Sequence, residues 1–208
     1  MKTRVIIVDD QAISRQLFEM YVRSSDRYEL VSSVRSAGLV DIYLLKHRAD
    51  LIIMDIMMND GSDGLEAAEK VKKDYPDIKI VAVTSMPESS WLKRAREIGV
   101  ESFWYKETDE TALLDVMDRT MNGESVYPDS PPAVRLGNAD STCFTERELE
   151  ALRIITTGAS NAEVAAKLGI SENTVKSYVR SMLDKTGCRS RTELAIKARV
   201  LGLAIGRE

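Results

Sequence analysis

The sequence predicts an α/β fold: a doubly wound, five-stranded parallel sheet domain followed by a small all-α domain of four helices. Three observations predict it. Short β-branched runs alternate with amphipathic stretches through residues 1–122. Most of those runs are apolar without interruption, as strands buried on both faces of a parallel sheet must be. Beyond residue 143 the patterning becomes wholly helical.

Arg4–Val8 (RVIIV), Leu51–Met54 (LIIM), Lys79–Val83 (KIVAV) and Ser102–Tyr105 (SFWY) read as strands, and Tyr28–Val34 as a weaker one. Between them Ile13, Leu17, Met20 and Tyr21 keep one helical face, as do Leu65, Ala68 and Val71, and Leu113, Val116 and Met117. Strand–helix alternation of this kind implies right-handed crossovers. Residues 123–142 hold Tyr127-Pro128, Ser130-Pro131-Pro132 and Gly137-Asn138 with little periodicity, and read as a linker between domains at 1–122 and 143–208. In the last domain Thr145 with Glu148 and Ser160 with Glu163 form capping boxes, and Ser171 is a further N-cap. Gly158, Gly169 and Gly187 fall where helices should end.

Composition narrows the functional classes. The chain is 44% apolar, with no apolar run near the ~20 residues of a membrane helix. The start does not read as a signal peptide, so a cytoplasmic protein is expected. Cys143, Cys188 and the lone His47 are too few for a disulfide framework or a four-ligand zinc site. Residues 1–122 carry 17 Lys+Arg against 22 Asp+Glu, and residues 143–208 carry 11 against 8. The acidic front suits a cation site and the basic back a polyanion.

In parallel α/β sheets, ligands bind beyond the carboxyl ends of the strands. Strand one ends in Asp9-Asp10, the third in Asp55, the fourth in Thr84 and the fifth at Lys106. A flavodoxin-like strand order, 2-1-3-4-5, brings all five to one rim. One Asp after a strand is ordinarily a turn residue; five polar residues at successive strand ends are not ordinary. Three gathered carboxylates repel, and Mg²⁺, which favours a few carboxylates with waters and phosphate oxygens, resolves the repulsion. Asp55, alone on the central strand, is then fit to attack a phosphoryl group. Asp9 and Asp10 would hold the metal, Lys106 would pair with phosphoryl oxygens, and Thr84 would donate its hydroxyl to one of them.

Asp9-Asp10, Asp55, Thr84 (VAVTS) and Lys106 (FWYK) resemble the receiver domain of bacterial two-component systems over about 120 residues. The resemblance implies phosphate transfer from a sensor histidine kinase to Asp55 with Mg²⁺, the Met57 backbone carbonyl completing the metal's protein ligands. It also implies a switch pair, Thr84 and Phe103, with Phe103 turning inward in the phosphorylated state. One stretch departs: receivers usually follow the Asp with Met-Pro and then Asp-Gly, whereas Met58-Asn59-Asp60-Gly61-Ser62-Asp63-Gly64 is one residue longer and lacks the Pro. A more mobile loop is expected, with Asp60 and Asp63 as turn residues.

In the last domain, 160–185 reads as two helices around Gly169-Ile170-Ser171. The second buries Val175, Val179, Met182 and Leu183 and exposes Asn173, Lys176, Ser177, Arg180 and Asp184. Lys176 and Arg180, one turn apart, can enter a DNA major groove together, with Thr174 or Tyr178 on phosphates. FTERELEAL, GASNAEVAAKLGISENTVKSYV and DKTGCRSRTELAIKA resemble the LuxR-type helix-turn-helix domain, with Tyr178 where the family usually has His. Asn173, Thr174, Lys176, Ser177 and Arg180 are the candidate DNA contacts, and the last helix (Arg191, Leu194, Ala198) implies a homodimer on DNA. Receiver, linker and this module together resemble the NarL/FixJ group, a phosphorylation-switched transcription regulator rather than a turnover enzyme. Two rivals remain: a regulator switched without phosphate, and an Mg²⁺-dependent phosphatase. The latter commonly needs a carboxylate two residues after its Asp, where this chain has Met57.

Overall fold

The computed structural model describes residues 2–106 and 110–204; of the expected domain limits, Met1 and 205–208 lie outside the described residues. The chain divides into two compact units, Met1–Ser85 with Ser90–Ser130 and Met86–Ser89 with Pro131–Glu208.

The first unit has strands β1 (Thr3–Val8), β2 (Tyr28–Val34), β3 (Leu51–Asp55), β4 (Lys79–Thr84) and β5 (Ser102–Tyr105). All pair in parallel in the expected order β2-β1-β3-β4-β5. Helices α1 (Ala12–Ser24), α2 (Val40–Leu44), α3 (Gly64–Asp74), α4 (Ser89–Glu97) and α5 (Glu110–Met121) cover it. Every residue of β3 is buried, which explains its unbroken apolar run. One side chain parity (Val5, Ile7, Leu51, Ile53, Val81, Val83, Trp104) packs with Phe18 and Val22 of α1 and Leu113, Val116 and Met117 of α5. The other parity (Ile6, Ile52, Ile80, Phe103) is equally buried, as are Leu65, Ala68 and Val71 of α3.

Helix α1 corrects the reading of its face. Ile13 is 83% and Met20 56% exposed, whereas Arg15, Phe18 and Val22 are buried. Two apolar stripes run along this helix; the sheet takes the one that packs Phe18 edge-on against Trp104.

Residues 123–142 are more structured than a linker. Val126 accepts a hydrogen bond from the Phe103 backbone N–H (2.8 Å), and the Tyr127 hydroxyl donates to the Val100 carbonyl (2.7 Å). Further on, β6 (Arg135–Leu136) and β7 (Ala139–Asp140) form a hairpin. Its Leu136 and Ala139 belong to the core of the second unit. At its turn Gly137 has φ 63°, and a Cβ there would collide with the Thr186 carbonyl.

The second unit's helices are α6 (Glu146–Ile155), α7 (Asn161–Leu168), α8 (Glu172–Thr186) and α9 (Arg191–Val200). Both expected capping boxes are present, and Ser171 caps α8 by accepting from the Thr174 N–H. Gly169 and Gly187 close α7 and α8 in the left-handed conformation. Val164, Val175, Met182, Leu194 and Ala198 are fully buried together. Among the described residues, no helix is long and apolar enough to cross a membrane.

Candidate functional site

The rim is built by chain topology. β1 and β3 are neighbours, with Val8 opposite Met54, so Asp9 and Asp55 emerge side by side. β3 and β4 pair Asp55 with Val83, and β4 and β5 pair Thr84 with Tyr105, which brings Lys106 over the same edge. Lys106 Nζ donates to Asp9 Oδ2 at 2.8 Å and to Asp55 Oδ2 at 2.7 Å. Asp9, Asp55 and Thr84 are buried, and Lys106 nearly so. Thr84 closes β4, and its carbonyl accepts from the Lys106 N–H at 2.9 Å.

The remaining carboxylate oxygens are nearly all spoken for. Asp9 Oδ1 accepts from the Gln11 N–H (2.8 Å) and Asp55 Oδ1 from the Met57 N–H (3.2 Å). Asp10 Oδ2 accepts from Asn59, whereas Asp10 Oδ1 is buried with no partner. A buried oxygen without a donor is costly unless something else satisfies it. One oxygen from each of Asp9, Asp10 and Asp55 can be chosen so that all lie within 4.8 Å of one another. Three carboxylates with oxygens this close, one of which also carries an unsatisfied buried oxygen, fit a small divalent cation. Burial pushes the Asp55 carboxyl up to about 6, with Asp9 adding repulsion, and Lys106 pulls the other way.

Phe103 is already buried in this structure, its ring 5.2 Å from Tyr105 and 6.1 Å from Tyr127. The inward turn expected for it therefore has no outward starting point here. The loop after β3, expected to be mobile, is anchored at several points. Asp63 caps α3 by accepting from Leu65 and Glu66 and pairs with Arg94 (3.3 Å). Asp60 accepts from the Ser62 N–H and hydroxyl, and Met57 bridges to Asp63. Both acids thus do act in turns. Two residues of the rim were not anticipated. Arg15 is buried and donates to the Asp9 carbonyl at 2.8 Å; its spacing of three from Phe18 and seven from Val22 was the available signal. Asn59 was the other, signalled only by the missing Pro.

On α8, Asn173, Lys176, Ser177 and Arg180 are exposed along one face, and Thr174 is half-buried. Thr174 and Ser177 have local partners: Thr174 shares a hydrogen bond with Ser171 (2.9 Å), and Ser177 donates to the Asn173 carbonyl (3.0 Å). Lys176 and Arg180 make no ion pair among the described residues, so both cations stay available. The helix is held from behind by Glu148, which accepts from Ser181 (2.6 Å) and Lys185 (2.7 Å). Burial works against the charged Glu148, but the hydrogen bonds from Lys185, Ser181 and Thr145 outweigh it and hold the carboxyl below its usual range.

Comparison with known proteins agrees with both units. Residues 5–118 match the family described as response regulator receiver domain, and residues 142–198 the bacterial regulatory proteins, luxR family. Response regulator protein VraR of Staphylococcus saprophyticus is 34% identical over 204 residues, covering 95% of this chain and 97% of that protein. VraR of Staphylococcus aureus is 33% identical over the same shares. Among solved structures, RcsB of Salmonella enterica serovar Typhimurium, bound to promoter rprA in the presence of phosphomimetic BeF3⁻, has a TM-score of 0.63 at 21% identity, covering 94% of this chain and 98% of that one. That last likeness is one of fold.

Proposed function

Because the chain belongs to the response regulators, with an N-terminal receiver domain and a C-terminal LuxR-family domain, we propose that it is a cytoplasmic DNA-binding transcription regulator switched by phosphorylation of Asp55. The observation that carries this reading is Lys106 bridging the buried carboxylates of Asp9 and Asp55 at the sheet's carboxyl end. A sensor histidine kinase is the phosphodonor. An Asp55 carboxylate oxygen attacks the phosphorus of the phosphohistidine, a P–O bond forms, and the P–N bond breaks to return the imidazole. Lys106 then turns from the two carboxylates to the phosphoryl oxygens, and the Thr84 hydroxyl donates to one of them. Mg²⁺, held by Asp9, Asp10, Asp55 and the Met57 carbonyl, would offset the negative charge of carboxylates and phosphoryl group. The chain is a phosphoacceptor rather than a turnover enzyme.

The output lies in α8. Lys176 and Arg180 read base edges in the major groove, with Asn173, Thr174 and Ser177 positioning the helix. The relatives supply the precedent: RcsB is described in complex with DNA. A homodimer presenting two such helices to two half-sites fits this mode of recognition. Phosphorylation shifts the population of DNA-competent dimer, which requires only differential stability between two states.

Intact-mass measurement after treatment with an acyl phosphate and Mg²⁺, with footprinting of promoter DNA on the same sample, tests the proposal. One phosphoryl group is expected on the wild type and none on Asp55→Asn, with tighter protection by the phosphorylated form. Equal promoter affinity of the phosphorylated wild type and unmodified Asp55→Asn would refute the control mechanism.

A further inference from the structure

The loop after β3 reaches back to the acidic rim through Asn59. Its backbone N–H lies 2.7 Å and its side-chain Nδ2 2.9 Å from the same oxygen, Asp10 Oδ2. Both donors converge on one oxygen of one carboxylate, across 49 residues of chain. The other oxygen, Oδ1, is buried and has no hydrogen-bond partner. The loop has further anchors besides Asp10. Asp60 accepts from Ser62, the Ser62 hydroxyl accepts from the Ala37 N–H at 3.1 Å, and Asp63 caps α3. Gly61, at φ 81°, supplies the left-handed turn between these anchors. Asn59 follows Met58, where receivers usually have Pro; a proline has no N–H and no amide side chain, and could make neither bond.

We propose that Asn59 is a positioning residue for Asp10. Its two donors fix the carboxylate by Oδ2 and leave Oδ1 as the oxygen offered to the divalent cation. The inference rests on the metal reading above, and it gives the lengthened loop a purpose: the added length lets an amide approach the carboxylate from outside the metal's own ligands. Outer-shell partners of this kind change metal affinity by roughly 10–100-fold when removed. Asn59→Ala keeps the backbone donor and loses the side-chain donor, so a loss of roughly tenfold is expected. Asn59→Pro loses both and should bind more weakly still.

Calorimetric titration of the full chain with Mg²⁺ alone, without phosphodonor, reads this directly. The expected order of affinity is wild type, then Asn59→Ala, then Asn59→Pro. In an Asp10→Ala background, Asn59→Ala should have no further effect on the residual affinity, because Asn59 acts only through that carboxylate. Thermal melting in a chelator checks the folding of each variant; Asn59 is exposed, so Asn59→Ala should melt with the wild type. Unchanged or tighter Mg²⁺ binding by a folded Asn59→Ala overturns the proposal, as does an equal loss in the Asp10→Ala background. A wild type that binds no Mg²⁺ overturns the metal reading itself, and this inference with it.

Discussion

Asp55→Asn isolates what it costs to keep a negative charge in the pocket before any cation or phosphate arrives. The Asp55 side chain is 2% exposed, and its carboxyl is pushed from an ordinary 3.8 up to about 6. Burial is the largest cause, opposed by the charge and hydrogen bond of Lys106 and reinforced by Asp9. At ~1.36 kcal/mol per pKa unit, this shift corresponds to roughly 3 kcal/mol. Its sign follows from proton binding. Between 3.8 and about 6 the folded chain holds the Asp55 proton and the unfolded chain has released it. Stability from this group therefore falls as pH rises through that window. Asn carries no such charge at any pH. The stability advantage of Asp55→Asn over wild type should grow by about 3 kcal/mol between acid and neutral pH, whatever constant offset the substitution brings.

Urea unfolding in the presence of a chelator measures this. The chain has two Trp residues, Trp91 in α4 and Trp104 in β5, both in the first unit. Their fluorescence follows the first unit, so the transition is fitted for that unit rather than for a two-unit chain treated as two-state. Saturating Mg²⁺ should then stabilise the wild type at neutral pH and shrink the advantage of Asp55→Asn, because a ligand that binds only the folded state adds to its stability. A difference that is flat with pH, or that narrows as pH rises, would show that the charge of Asp55 is already compensated by Lys106 and that the pocket does not await a cation.

Further outcomes are expected elsewhere. Lys176→Ala and Arg180→Ala should each weaken promoter binding by roughly 1–3 kcal/mol if the residue reads a base, measured by fluorescence anisotropy against matched and scrambled DNA; a loss equal on both would reassign the residue to phosphate contact. Glu148→Gln should destabilise the second unit by roughly 1.5–3 kcal/mol, the range for hydrogen bonds to a charged group, read by far-UV circular dichroism. Because the Glu148 carboxyl lies below its ordinary 4.5, its stabilisation is present above that pH and lost below it, so the gap between wild type and Glu148→Gln should close in acid. Gly64→Ala would place a Cβ against the Asp55 carbonyl, 2.9 Å from Ile56 Cα. Backbone cannot yield there cheaply, so the first unit should lose at least about 1–3 kcal/mol in the Trp-monitored unfolding, and Asp55 should accept phosphate more slowly.

What was legible in advance divides along a physical line. Asp9, Asp55, Thr84 and Lys106 were readable because each ends a strand, and parallel topology sends strand ends to one rim whatever the loops do. Capping residues were readable for a similar reason: Thr145, Ser160 and Ser171 act within four residues of themselves. Contacts that depend on the path of an irregular segment were not. The strands β6 and β7 are two residues each, too short to show a period. The buried side of α1 was misread because Ile13, Leu17 and Met20 form as good an apolar stripe as Phe18 and Val22, and Arg15 on the true inner face looks like a solvent residue until the Asp9 carbonyl is seen above it. Asn59 is the clearest case. Half of its hold on Asp10 comes from a backbone N–H that almost every residue type possesses, so composition could signal it only through the absence of proline. The chemistry of the rim is thus set by side chains that topology gathers, while its adjustment is left to a loop whose reach depends on its folded path. Variation among receivers in how they hold their cation should accordingly concentrate in that loop, since the strand ends have no freedom to change.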